Sequence, residues 1–325
     1  MKKYNALYVM VVFIFTAIFF CFNGSIQAKG LEWSGCVEVD IFGSEQKIRE
    51  PEETESGIVL DAVEIVLDAE LNEDVSAMAI IKYEGGDDEV ILDEANVTMK
   101  NLSATPVTLT MGKYVLPFGV FESPLVNDPI TQEKYEINAA AVSFIYAPAE
   151  VQGLEVSFTV YDDPEGVKDL TDYILNATMS QEELYSFTVC YNSAKAEGGY
   201  DRDDTLGVSL NTVTAQNVII DAEYITALER EGVDPSKEYV YSLSAAYQVL
   251  PALTLAARYE EVDDDNEGNQ ATDDDDPVAG VDNRYSLGGT YELYENVALN
   301  AEYRISNLEA EYTLNEWVLR LSMEF

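Results

Sequence analysis

The chain has 325 residues, with 61 Asp and Glu against 18 Lys and Arg and a formal net charge of −43. Nucleic-acid binders neutralise phosphates with Lys and Arg, so this balance makes DNA and RNA poor partners. There is no histidine, which removes Ser-His-Asp and Cys-His catalysis and every His-ligated metal site, and three Cys are too few for a disulfide scaffold.

Lys2 and Lys3 precede an apolar run from Tyr8 to Phe22, followed by Asn23-Gly24-Ser25 and Ile26-Gln27-Ala28. This is the order of a secretory signal peptide, with cleavage expected after Ala28; the alternative is an uncleaved anchor. Phe20 before Cys21 is too large for a lipoprotein signal. Losing 1–28 removes two Lys and no acid, so the remainder is more acidic still. It contains no apolar run long enough for a membrane-spanning helix, so a spanning structure must be a closed β-barrel.

From there the chain alternates in steps of two. Val63, Ile65, Leu67 and Ala69 interleave with Glu64, Val66, Asp68 and Glu70. Val297, Leu299, Ala301, Tyr303 and Ile305 interleave with Ala298, Asn300, Glu302 and Arg304, and Trp317 to Phe325 behaves alike. Sixteen such segments can be drawn, from 31–42 to 315–325. One set of connections is short, such as Asn72-Glu73-Asp74, Pro251-Ala252 and Tyr294-Glu295; the other is longer and acidic, including 43–56, 118–138, 263–282 and 307–314. A soluble sandwich has no reason to sort its connections so, whereas outer-membrane barrels carry short periplasmic turns and long outer loops. The expectation is an all-β, transmembrane, antiparallel up-and-down β-barrel of about sixteen strands over residues 29–325, with no plug domain.

If the apolar set faces lipid, its complement faces the lumen. That set includes Arg258, Arg284, Arg304 and Arg320 on the last four segments. Glu38, Asp40, Glu64, Asp68, Glu70 and Glu94 lie inward on the first, second and fourth. A basic arc would then abut an acidic arc, and the pair would either set a transverse field across the pore or pair to brace the wall. The connection 118–138 follows Pro117 and holds Phe118, Gly119, Phe121, Glu122, Pro124, Asp128 and Pro129. So apolar and stiff a segment is expected to fold inward and narrow the pore, the alternative being packing on the rim or a neighbouring subunit. Asp263, Asp265, Glu267, Gly268 and Asp274 fall near calcium-loop positions, but the acid types are wrong at two of them and no helices flank the run. It reads as a solvated acidic loop that collects Ca2+ or Mg2+ loosely, with no cofactor required. Cys36 and Cys190, eight segments apart, are expected to be free thiols. Acidic pairs are too abundant for any to be singled out as an acid–base couple, so no enzyme is expected.

The run Tyr114-Val115-Leu116-Pro117-Phe118-Gly119-Val120-Phe121-Glu122-Ser123, with Asp128-Pro129-Ile130-Thr131 after it, resembles that of the LbtU-type siderophore porins, the legiobactin-receptor family. Weaker matches are Ser34-Gly35 before Val37-Glu38-Val39, Asp93-Glu94-Ala95, Glu223-Tyr224-Ile225-Thr226-Ala227 and the terminal Phe325. The resemblance implies an outer-membrane barrel that takes up an iron-loaded siderophore, with a terminal aromatic read by the insertion machinery. The Asp-rich loop and the two inward Cys depart from it and leave the ligand open. With sixteen strands and no energy-coupling segment, uptake would be passive. The other reading is a structural or adhesive barrel whose acidic loops meet partners or divalent cations. Outer-membrane lipid and a small polar solute are the expected partners; oligomeric state, a homotrimer included, is left open.

Overall fold

The computed structural model describes residues 30–47, 53–85, 89–162, 170–181, 184–195, 202–214, 218–229, 238–263, 280–308 and 312–325. The proposed signal peptide, Cys21 and most of the Asp-rich loop lie outside these residues.

Sixteen strands form one closed antiparallel barrel. They are β1 (Gly30–Lys47), β2 (Glu53–Glu70), β3 (Val75–Glu84), β4 (Glu89–Met99), β5 (Val107–Val115), β6 (Asn138–Tyr146), β7 (Leu154–Asp162) and β8 (Asp172–Gln181). Then follow β9 (Tyr185–Lys195), β10 (Arg202–Val213), β11 (Val218–Glu229), β12 (Tyr239–Leu250), β13 (Leu253–Asp263), β14 (Val281–Tyr294), β15 (Val297–Leu308) and β16 (Tyr312–Glu324). Each strand pairs with the next, and β1 closes on β16 through Cys36↔Glu324 to Lys47↔Thr313. Closure leaves no open edge, so every ladder group finds a partner without water, as a bilayer demands. Among the described residues one short α-helix, α1 (Ile130–Tyr135), lies in the β5–β6 connection. No plug domain stands among the described residues.

The alternation sorts the two faces. Outside, Leu243, Leu255, Leu287, Tyr303 and Trp317 are all exposed; inside, Ser143, Thr159, Ser209, Ser242 and Ser244 are buried. Aromatics stand at both ends of the outer apolar band. Trp33, Tyr146, Tyr247 and Phe325 lie at one end and Tyr224, Tyr285 and Tyr303 at the other, the belts of a membrane barrel.

Two sequence expectations need correction. The stretch 43–56 is mostly ladder rather than loop, because Gly43↔Ser56 and Glu45↔Thr54 remain paired and only 48–52 separates the strands. Similarly β15 and β16 run on until only 309–311 separates them. Hairpins of polar residues that continue past the apolar band stay hydrogen-bonded, so several outer connections are as short as the inner turns. A β-bulge also interrupts β2, where Glu38↔Ala62 gives way to Val39↔Leu60. The extra residue, Asp61, reaches Arg320 on β16, a placement that strict alternation does not give.

Candidate functional site

The connection 116–137 lies inside the barrel. Its base is closed by the Leu116 amide donating to the Ile137 carbonyl at 2.8 Å. An irregular segment there must find partners for its own backbone groups. Three glutamates on alternate wall strands supply acceptors. The Val120 amide donates to Glu223 Oε1 on β11 at 2.8 Å, the Ile130 amide to Glu260 Oε1 on β13 at 2.6 Å, and the Asn127 amide to Glu302 Oε2 on β15 at 2.8 Å. One guanidinium supplies donors: Arg258 on β13 reaches Ser123 Oγ at 2.7 Å and the Asn127 and Asp128 carbonyls at 3.0 Å each. Its Nε stands 3.0 Å from Glu260 Oε2, with both side chains fully buried.

Apolar packing fixes the rest. Phe118, Ile130 and Tyr135 from the connection bury against Tyr161, Ile174, Cys190, Ile225 and Val240 of the inner wall. Gly119 adopts φ +77°, and a Cβ there would stand 2.3 Å from the Phe121 ring, so glycine alone lets the chain turn under that ring. Gly288 on β14 leaves room for Leu125, whose Cδ2 would lie 2.8 Å from an added Cβ. Cys190 accepts the Gly119 amide at 3.3 Å, and the Asn176 amide donates to the Pro117 carbonyl at 3.0 Å. Pro129 is fully buried.

The lumen is therefore divided. The connection covers the inner wall from about β7 to β14, and open space remains along β15, β16 and β1 to β6. A cavity of about 670 Å³ lies between Asn127 and a wall bearing Asp40, Glu55, Asp61, Arg304 and Glu316. A second, of about 430 Å³, is lined by Asp68, Glu94, Asn96, Thr98, Thr110 and Tyr114.

The four arginines do not form an arc along open water. Arg258 and Arg284 are only 3% exposed and lie under the connection, Arg284 holding Glu133 of α1 at 3.1 Å. The loop carbonyls and Glu133 claim them because little else there can donate. Arg304 is clasped by Glu316, with Nη2 to Oε1 at 2.9 Å. Arg320 is shared by three acids, at 2.7 Å from Glu38 and 2.8 Å from Asp40, with Asp61 also in contact. Glu64, Asp68, Glu70 and Glu94 make no ion pair among the described residues, so the open wall is dominated by acid. From the facing side, Asp128 and Glu136 of the connection are exposed to the lumen, whereas Glu122 turns to Asn211 of β10 and Asp221 of β11. The carboxyls are nonetheless partly withdrawn from water inside the barrel, which pushes Asp128 up against the pull of Lys82, Arg258 and Arg320 and also raises Glu122 and Glu136. Of the two expected arrangements Arg320 takes the pairing one, with Glu38 and Asp40, while Arg258 and Arg284 are engaged by the connection, so what remains beside open space is an acid wall with these bases already engaged.

Sequence reading missed Glu223, Glu260, Glu302, Asn127 and Glu133. A signal was present: Ile174, Cys190, Ile225 and Val240 are apolar at inward positions, and apolar groups inside a wet barrel need a cover. Cys36 on β1 is half-buried and Cys190 on β9 is buried, both as thiols. Asp263 ends β13; Asp265, Glu267 and Asp274 lie outside the described residues.

Comparison with known proteins agrees with this geometry. Residues 31–310 match the family model described as Gram-negative porin. The anion-selective porin from Comamonas acidovorans superposes with TM-score 0.68 at 11% identity, over 91% of this chain and 99% of that one. OmpF of Salmonella typhi, solved with daunomycin, gives 0.64 at 14%, and the channel DcaP of Acinetobacter baumannii 0.63 at 14%; each alignment covers 91% of this chain and 97% of the other. At such identities the likeness is one of fold. No curated protein matches. The family match, spanning most of the barrel and the infolded connection alike, shows that this chain belongs to the Gram-negative porins, outer-membrane channels through which solutes pass by diffusion.

Proposed function

We propose that this porin favours small neutral and cationic solutes, and that its permeation path is the acid-lined half of the lumen along β15, β16 and β1 to β6. The observation that carries this reading is the capture of Arg258, Arg284, Arg304 and Arg320 by carboxylates or by the connection, which leaves surplus acid beside open water. Charged rings in a narrow wet path set ion preference because local fields are weakly screened there. In this reading residues 1–28 direct export and are removed, and Pro117 to Pro129 form the constriction.

The finer proposal is that the solute is an iron-siderophore, and it rests on the resemblance in residues 114–131. Much of that run packs the connection onto the wall, so it speaks more directly for a shared constriction than for a shared ligand. The acid wall narrows the class to neutral or positively charged ferric complexes. Ca2+ or Mg2+ held loosely at the outer acidic loops, and assembly as a homotrimer, accompany this reading as proposals.

In planar bilayers under a salt gradient, the reversal potential is expected to show cation preference. Because partial withdrawal from water raises Asp128 and Glu136 beside the path, their neutral forms gain ground at a higher pH than for free carboxyls. Cation preference should therefore decline on acidification before the ordinary carboxylate range is reached, and anion preference at neutral pH would refute the reading. Replacing Arg258 with Met strands Glu260 and Glu302 in the wall, a loss of roughly 3–5 kcal/mol by analogy with broken buried pairs. Its single-channel conductance should rise, as should that of a deletion of 120–136; unchanged conductance in both would mean the connection does not constrict. For the siderophore proposal, a deletion strain should lose growth on a cationic or neutral ferric siderophore as sole iron source, and normal growth on all of them would end it.

A further inference from the structure

The open half of the lumen carries one apolar patch. Phe42 of β1, Val59 of β2 and Val318 of β16 share the inward face with Asp40 and Arg320, through the pairs Asp40↔Val59, Asp40↔Arg320 and Phe42↔Val318. The patch lies just beyond the acids that hold Arg320, on the side of the 48–52 connection. Gly57, paired with Phe42, makes room for it: a Cβ there would stand 3.0 Å from Phe42 Cζ, so the ring lies over the glycine. Apolar groups inside a wet barrel need a cover. Ile174, Ile225 and Val240 are covered by the connection, but the cluster they form with it contains neither Phe42 nor Val59. Those two remain half-buried beside the cavity of about 670 Å³.

The polar groups around the same cavity are engaged donors and available acceptors. Arg304 is held by Glu316, Arg320 by Glu38 and Asp40, and Lys82 by Glu84 at 2.6 Å. Glu55 is exposed and forms no ion pair among the described residues. Asp61 shares Arg320 with two other carboxylates, and its side chain is 38% exposed. Asn127 donates both its backbone amide and its side-chain NH2 to Glu302 Oε2, and its side-chain oxygen has no partner among the described residues.

We infer that this cavity is a binding station for an organic ammonium ion with an apolar body. Its N–H groups meet Glu55, Asp61 and the Asn127 oxygen, while the body covers Phe42 and Val59. The volume is that of a site for a small organic molecule, and such sites combine an apolar lining with a few polar groups that fix orientation. A cation next to the Phe42 ring also gains from the ring quadrupole. An anion meets surplus acid there, and a hydrated alkali ion gains nothing from the patch. A neutral apolar solute leaves the acceptors to water. The inference rests on the cation preference proposed above and adds to it the kind of body that the pore retains.

The test is block of single-channel current in planar bilayers by phenethylammonium chloride, compared with ethylammonium chloride and with sodium phenylacetate. Phenethylammonium is expected to block saturably, at a concentration roughly fivefold or more below that of ethylammonium. Its half-blocking concentration should rise severalfold in Phe42→Ala and in Glu55→Gln, and stay at the wild-type value in Leu243→Ala on the lipid face. Heat-modifiable mobility on gels reports whether each variant is folded; if Phe42→Ala is not, Val59→Ser takes its place. Equal block by the two amines, block by phenylacetate as strong as by phenethylammonium, or unaltered block in the folded patch variant would each overturn the inference. The reversal potential of the wild-type channel under a salt gradient separates the two claims. Cation preference with equal block by the amines refutes the station alone, whereas anion preference refutes the reading on which it rests.

Discussion

Everything particular to this barrel follows from one requirement: a stretch of irregular backbone inside a closed sheet must be given hydrogen-bond partners by the wall. Glu223, Glu260 and Glu302 accept three of its amides, and Arg258 donates to two of its carbonyls. Charged partners make the stronger hydrogen bonds, and here they are almost wholly dry. Buried charges are tolerable only when fully paired, so latch and connection depend on each other. The carboxylates need the amides as much as the amides need them.

Covering one half of the wall determines the character of the other. Arg258 and Arg284 are spent on the connection, and Arg304 and Arg320 on acids beside them. The water path is left with Asp68, Glu94 and Glu64 on one side and Asp128 and Glu136 on the other. The net charge of the chain is therefore not merely a surface property. Part of it lines the route we propose for the solute.

Much of the scaffold was legible in the sequence. The two-residue period over Val63–Glu70 and Val297–Ile305 is set by lipid on one face and water on the other, so it survives without knowledge of neighbours. Strand ends were less legible, because Glu45 and Thr54 are polar whether they sit in a loop or in a ladder. The latch was not legible. Glu260 looks like any other of the 61 acidic residues until the connection is seen to lay Ile130 against it. Asp61 was hidden for another reason: a bulge breaks the period that would have placed it. The inward apolar positions Ile174, Ile225 and Val240 were the available hint, and they point to a covered wall only once the lumen is no longer assumed to be wet throughout.

The central claim is that the lumen has one covered and one open half. Single cysteines placed at inward positions of a cysteine-free barrel measure this directly, through their rate of reaction with a water-soluble thiol reagent. Asn96, Thr98 and Thr110 replaced in turn should react quickly, while Ile174, Ile225 and Val240 replaced in turn should stay protected until the barrel is unfolded. Equal reactivity around the whole circumference would contradict the account.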